Sequence, residues 1–241
     1  MSIIEINGLT KLYKNGRGVK SISLTADKGD ILGLLGPNGS GKTTIMKAMC
    51  GLINYEGGIK LFGKELHDNF AQAMSRTGAL IEAPAIYKDL SAYRNLQLAA
   101  AMHPEVGRER IEQVLDAVHL LEYRNDRAGR FSLGMKQRLG IAAALLCSPE
   151  LVVLDEPVNG LDIEGVVEVR ETIKSLNERG VTFVISSHMA GEIEKTCTRV
   201  AVLYDGEKIA DTSTAEALRL HPSMEDYFLD VVRSRRGEVR I

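Results

Sequence analysis

Nine consecutive residues, Gly36-Pro37-Asn38-Gly39-Ser40-Gly41-Lys42-Thr43-Thr44, constrain this chain more than any others. An apolar run, 31–35, leads into them, and residues 45–50 continue as a helix-forming stretch. Strand, glycine-rich turn and helix start, with G-x-x-x-x-G-K-[ST] in the turn, is the pattern of a phosphate-binding loop. The glycines let successive backbone N–H groups converge on one point with no Cβ in the way. The helix start adds unpaired N–H groups and a positive dipole end. Lys42 supplies a point charge for the β- and γ-phosphates of a nucleotide, and Thr43 a hydroxyl for Mg²⁺. By residue frequencies the bare pattern arises by chance about once in a hundred chains this long.

Bulk properties narrow the classes that remain. The 241 residues are 44% apolar, enough for one large domain or a core with a subdomain. Net charge is −2, from 30 Lys and Arg against 32 Asp and Glu, so neither nucleic acid nor an anionic membrane is expected as main partner. Cys50, Cys147 and Cys197 are far apart, with neither metal spacing nor a disulfide framework, which fits a reducing compartment. The first residues have no basic flank or long apolar segment, so no signal peptide is read. The longest apolar runs, such as 139–147, fall short of the ~20 residues that span a bilayer. A role at a membrane therefore has to come through a partner.

Along the chain, periodicity changes twice. Residues 3–35 read as β-rich, with strand 19–26 and turns at 14–18 and 27–30. Helix 42–50 is followed by a turn at 56–58, strand 58–62, a helix at 68–75 and strand 77–81. From Ser91 to Cys147 apolar residues recur at helical spacing: Leu96, Ala99, Ala100; Ile111, Val114, Leu115, Val118; Leu139, Ala142, Ala143, Leu146. Ser91 is an N-cap candidate. Strands return at 151–154, 181–186 and 199–204, with helices at 164–179 and 190–196 and a hairpin turn at Asp205-Gly206. Strand runs that are apolar throughout belong to a sheet covered on both faces. The expected class is α/β: a P-loop NTPase core with a mostly parallel sheet, an N-terminal antiparallel β subdomain and an inserted all-helical subdomain. Residues 1–82 and 149–220 form the core, 83–148 the helical part, and 221–241 a charged tail whose basic run at 233–236 reads as a solvated end.

Two further constellations carry chemistry. Strand 151–154 ends in Asp155-Glu156, and the C-terminal ends of parallel strands face the ligand crevice. Adjacent residues there point apart, so Asp155 can hold Mg²⁺ while Glu156 polarises an attacking water. Ser132-Leu133-Gly134-Met135 opens a helix, with Ser132 as N-cap and Gly134 leaving N–H groups open: either an ordinary capped helix or a second anion site.

The order of these motifs resembles the ATP-binding subunits of ABC transporters over about residues 3–215. Tyr13 and loop 36–44 come first, and Glu82 falls at the family's glutamine-loop position. Then follow the signature at 132–136, Asp155-Glu156, a D-loop at Asn159-Gly160-Leu161-Asp162, and a switch histidine in Ser186-Ser187-His188. The resemblance implies two head-to-tail subunits sandwiching two ATP molecules. Tyr13 would stack on adenine, residues 132–135 would contact ATP on the partner's phosphate loop, and Asp162 would act across the dimer. His188 would meet the γ-phosphate and help hold Glu156 in line. The implied metal ligands are Thr43, Asp155 and Glu82. The implied partners are a second copy or a related ATP-binding subunit and an integral-membrane permease, at the cytoplasmic face of the membrane.

Two departures narrow the resemblance. The signature reads Ser-Leu-Gly-Met-Lys rather than Ser-Gly-Gly-Gln, and the glutamine-loop position carries a glutamate, which when ionised accepts hydrogen bonds but cannot donate. Both features, with 81–84 and Tyr87, resemble the branch serving bacitracin resistance and lantibiotic immunity. That implies an export motor for peptide antibiotics or other amphiphiles. An importer motor, or a soluble ABC ATPase acting on nucleic acid or ribosomes, stays as the alternative.

Overall fold

The computed structural model describes residues 2–237. The chain opens with β1 (Ser2–Leu12) and β2 (Gly18–Asp27), then β3 (Ile31–Leu35), α1 (Lys42–Met49), β4 (Glu56–Leu61), β5 (Lys64–Glu65), α2 (Phe70–Met74) and β6 (Thr77–Leu80). Helices follow: α3 (Ala92–Ala99), α4 (Arg108–Ala117) and α5 (Leu133–Leu145). The last third alternates β7 (Leu151–Leu154), α6 (Ile163–Glu178), β8 (Thr182–Ser187), α7 (Ala190–Thr196), β9 (Arg199–Tyr204) and β10 (Glu207–Ser213), ending in α8 (Thr214–Leu220) and α9 (Met224–Arg236).

Two sheets result. The order β2-β1-β4-β5 is antiparallel throughout; the order β10-β9-β3-β8-β7-β6 is parallel except for the β9–β10 hairpin. This is the expected α/β class, with its antiparallel β part and its helices between β6 and β7. Every residue of β3, β7 and β8 is buried, because both sheet faces are covered. The pleat sends alternate residues into separate cores. Leu151 and Val153 pack with Leu32, Leu34, Ile45 and the antiparallel sheet. Val152 and Leu154 pack with Phe183, Ile185, Val200 and the helices of 92–145. Burying each such side chain contributes about 1.5–3 kcal/mol. Helix α5 lies close on β6: a Cβ at Gly78 would fall 2.0 Å from the Ala144 carbonyl oxygen.

One local expectation changes, and the last third adds elements beyond those expected. Residues 56–58 are not a turn but the start of β4; a Cβ at Gly57 would sit 2.5 Å from the Gly8 oxygen, so glycine lets β1 and β4 approach. Strand β10 continues to Ser213, and 214–220 is helical. The charged tail is helical over Met224–Arg236, and its basic run at 233–236 stays exposed. Ser223 accepts from the Asp226 amide as N-cap of α9, and Gly237 ends the helix in the left-handed conformation. Met224 and Tyr227 are buried against the larger core. Arg235 pairs with Glu207 at 2.5 Å and Arg236 donates to the Tyr204 hydroxyl, so the basic run docks onto β9 and β10. Residues 238–241 of the tail lie outside the described residues.

Candidate functional site

The phosphate loop joins β3 to α1 at the C-terminal edge of the parallel sheet. Its close packing depends on two glycines. A Cβ at Gly36 would lie 2.3 Å from the Leu203 oxygen, and one at Gly41, where φ is +107°, would lie 2.3 Å from Val19 Cγ1. Gly41 caps α1 without a side-chain bond, so the first-turn amides have no helical partner. Lys42 is 5% exposed. Its Nζ donates to the Gly36 oxygen at 2.7 Å and the Pro37 oxygen at 3.2 Å, and lies 3.2 Å from Glu156 Oε1.

The sheet brings the remaining groups in by register. Leu154 pairs with Ile185 across β7 and β8, so the residues after them meet at the sheet edge. Asp155 is 5% exposed and accepts twice: from Thr43 Oγ1 at 2.8 Å and from Ser186 Oγ at 2.6 Å. The Ser186 oxygen in turn accepts the Glu156 amide at 2.8 Å. Glu156 has φ +47°, a left-handed conformation that costs about 1–3 kcal/mol. This turn sends its carboxylate away from Asp155, and Glu156 Oε2 lies 2.8 Å from His188 Nδ1. Lys42, Thr43, Asp155, Glu156 and His188 are thus one connected cluster. Ser186 is the member that sequence reasoning passed over.

Beside the cluster is a cleft of about 300 Å³ lined by Tyr13, Asn15, Arg17, Asn38, Gly39, Thr44 and Glu156 among others. Tyr13 sits on a tight 13–17 turn, donating its amide to the Arg17 oxygen at 2.8 Å while its own oxygen accepts from Gly16. The ring is exposed at the cleft. One buried polar atom here, Ser40 Oγ, has no hydrogen-bond partner among the described residues, while Glu156 Oε1 is held by its ion pair with Lys42. A cradle of amides, one buried ammonium and an unpaired hydroxyl fits a polyphosphate. The Thr43 hydroxyl beside the Asp155 carboxylate fits a hard cation such as Mg²⁺.

Other anticipated residues stand apart from the cluster. Glu82, also left-handed at φ +65°, gives its Oε1 to Lys47 Nζ at 2.5 Å rather than to Thr43 or Asp155. That bond is the main cause of the raised Lys47 pKa. Ser132 caps α5, accepting from the Met135 amide at 3.2 Å. Leu133 is 55% exposed and covers Gly160, whose added Cβ would lie 3.2 Å from Leu133 Cδ2. Asp162 caps α6 by accepting from the Gly165 amide at 2.9 Å, and the next residue, Ile163, is 86% exposed. Residues 132–135 and 159–163 therefore form a second patch. Among the described residues, 132–135 make no hydrogen bond or ion pair to the phosphate loop.

No helix of the described residues is long and apolar enough to cross a membrane. The ABC transporter family profile matches residues 19–159. The bacitracin transport ATP-binding protein BcrA of Enterococcus faecalis is 41% identical over 216 residues, 89% of this chain and 70% of the relative. The lantibiotic transport ATP-binding protein SrtF of Streptococcus pyogenes is 39% identical over 210 residues, 87% of this chain and 90% of the relative. A solved ATP-binding subunit of an ABC transporter superposes with a TM-score of 0.82 at 25% identity, over 95% of this chain and 99% of its own. With the phosphate loop, the carboxylate-ended strand and the histidine in one cluster, and half the chain under the family profile, this protein belongs to the ABC transporter family as an ATP-binding subunit.

Proposed function

We propose that this subunit hydrolyses ATP to drive export of peptide antibiotics or similar amphiphiles through a separate membrane permease, as a dimer whose two ATP sites are shared between chains. The connected cluster of Lys42, Thr43, Asp155, Glu156 and His188 carries the reading. Residues 36–44 hold the phosphates, with Lys42 moving its donors from the Gly36 and Pro37 carbonyls to phosphate oxygens. Tyr13 stacks on the adenine. Glu156 orients a water for in-line attack and takes its proton, while His188 holds that carboxylate and meets the γ-phosphate. Thr43 and Asp155 hold Mg²⁺, which when bound offsets the phosphate charge. Glu82, bonded to Lys47 here, would be a third residue to hold that metal.

Residues 132–135 and Asp162 act on the ATP of the facing chain, which accounts for a helix start with exposed Leu133 and no anion-binding partner of its own. Within this reading, 1–82 and 149–220 are the nucleotide-binding core and 83–148 the helical part that faces the permease. The likeness to transporters named for bacitracin and lantibiotics supports the substrate class. Two experiments test it. Specific ATPase activity should fall on dilution and recover on assembly with the permease; a constant rate at every dilution would rule out shared sites. Cells expressing the subunit with its permease should gain resistance to a lantibiotic or bacitracin; unchanged sensitivity would rule out that class.

A further inference from the structure

The chain shows no metal-ligand spacing along its sequence, yet the fold gathers three ligand-type side chains at the far end of α5. His103 and Glu105 flank Pro104 in a tight turn closed by the Val106 amide on the His103 oxygen at 2.9 Å. Proline in the second position presets such a turn. It brings His103 Nδ1 and Glu105 Oε1 within 3.4 Å. Cys147, two residues past α5, completes the group: one ligand atom from each of His103, Glu105 and Cys147 lies within 4.8 Å of the others.

Zinc holds nitrogen, oxygen and sulfur at about 2.0–2.3 Å, which sets tetrahedral neighbours roughly 3.3–3.8 Å apart. The His103–Glu105 pair already meets that spacing, and side-chain rotation supplies the rest. Thiolate, imidazole and carboxylate together favour Zn²⁺ over Mg²⁺ or Ca²⁺, which take oxygen. His103 and Cys147 are half-buried and Glu105 is exposed, so a fourth position faces water on the Glu105 side. Arg110 steadies the sulfur's side of the site, donating to the Leu145 and Leu146 oxygens at 2.5 and 3.1 Å. The Cys147 thiol is pushed up by burial first and then by Glu105, with Arg110 opposing. A cation between the two anions reverses the Glu105 effect. Cys50 and Cys197 are buried elsewhere.

We propose that His103, Glu105 and Cys147 form a zinc-class metal site with one open position, clamping the 103–106 turn to the end of α5. Binding displaces the thiol proton as the sulfur–metal bond forms. The clamp fixes one end of the helix whose other end, ~20 Å away, carries Ser132. The proposal is independent of the ATP-site assignments.

The test is Co²⁺ titration of tag-free protein in thiol-free buffer. One equivalent per chain should bring up a thiolate-to-cobalt charge-transfer band and the visible bands of tetrahedral cobalt, and Zn²⁺ should bleach both. Cys147→Ser should abolish the charge-transfer band. His103→Ala keeps the thiol and should weaken affinity by more than the roughly 10–100-fold that losing an outer-shell partner costs. Metal-free thermal unfolding, unchanged in both variants, shows that they fold. Zn²⁺ should also slow labelling of Cys147 by a thiol reagent in the wild type but not in His103→Ala. No charge-transfer band at stoichiometric Co²⁺, a band that survives Cys147→Ser, or Zn²⁺-independent labelling would each overturn the proposal.

Discussion

Two helix starts in this protein, one for each wall of the proposed shared site, are finished in opposite ways. At α1 the cap is a glycine, the lysine beside it is buried, and Thr43, Asp155, Glu156, Ser186 and His188 close around the loop from the same chain. At α5 the cap is a serine that satisfies its own helix, the neighbouring leucine is exposed, and among the described residues no bond reaches the phosphate loop. The first is a complete pocket wall; the second is a surface. Their difference separates what one chain can build alone from what a partner has to bring, which is the division the proposed shared site requires.

The largest test of the closed region is Glu156→Gln. It should lower steady-state hydrolysis about 10²–10⁴-fold, the usual worth of a positioned base, while nucleotide binding stays. Phosphate release and equilibrium binding of a fluorescent nucleotide separate the two; hydrolysis at the normal rate would remove Glu156 from the reaction. Lys42→Ala breaks the same wall differently, weakening nucleotide binding by about 10–100-fold, as loss of a charged hydrogen bond does. Unchanged binding would contradict the loop assignment.

The open region predicts a contrasting result. Gly134→Asp meets ordinary space, since an added Cβ has nothing nearer than 3.8 Å. It should leave single-chain nucleotide binding within about twofold and cut hydrolysis about tenfold or more, since a carboxylate at the helix start repels a phosphate. Mixing Gly134→Asp with Lys42→Ala chains should restore part of the activity, because one of the two mixed sites then has both walls intact. No recovery in mixtures that demonstrably dimerise would break the comparison.

The smallest effect concerns Glu82, which sits beside the closed region yet is bonded to Lys47. Glu82→Gln should raise the Mg²⁺ requirement for hydrolysis by roughly two- to threefold; an unchanged Mg²⁺ titration would leave Glu82 out of the metal shell. The exposed pair itself contributes only about 0–1 kcal/mol. Because Glu82 raises the Lys47 pKa above 10.5, that contribution persists on the alkaline side through the ordinary lysine value and is lost as pH rises through the folded value. Thermal melts of wild type and Glu82→Gln should therefore differ by a constant amount around neutral pH and converge in strong alkali.

Much of the closed region was legible from residues alone, because a phosphate loop imposes fixed spacing and Asp155-Glu156 ends an unmistakable apolar strand. Ser186 was not, since a buried serine inside an apolar strand carries no local signal; its role exists only through the β7–β8 register. The Lys47–Glu82 bond joins residues 35 apart, and motif order marked Glu82 but not its partner. Helix α9 was hidden by its charged face, although Ser223, the apolar residues at 224, 227, 228, 231 and 232, and Gly237 together spell a capped amphipathic helix. His103, Glu105 and Cys147 meet only because α5 returns to the 103–106 turn.

The strand order has a consequence for synthesis of the chain. The antiparallel sheet needs only the first 65 residues. By contrast β3, which carries the phosphate loop, pairs Ile31 with Phe183 and Leu32 with Arg199. At 5–20 residues per second, the ribosome delivers those neighbours on the order of ten seconds after β3 itself. For that interval the apolar strand 31–35 has no edge of its own sheet to join, and the nascent chain is exposed to non-native pairing and in need of shelter. The nucleotide-binding loop is thus among the earliest segments to be made and among the last to acquire its setting.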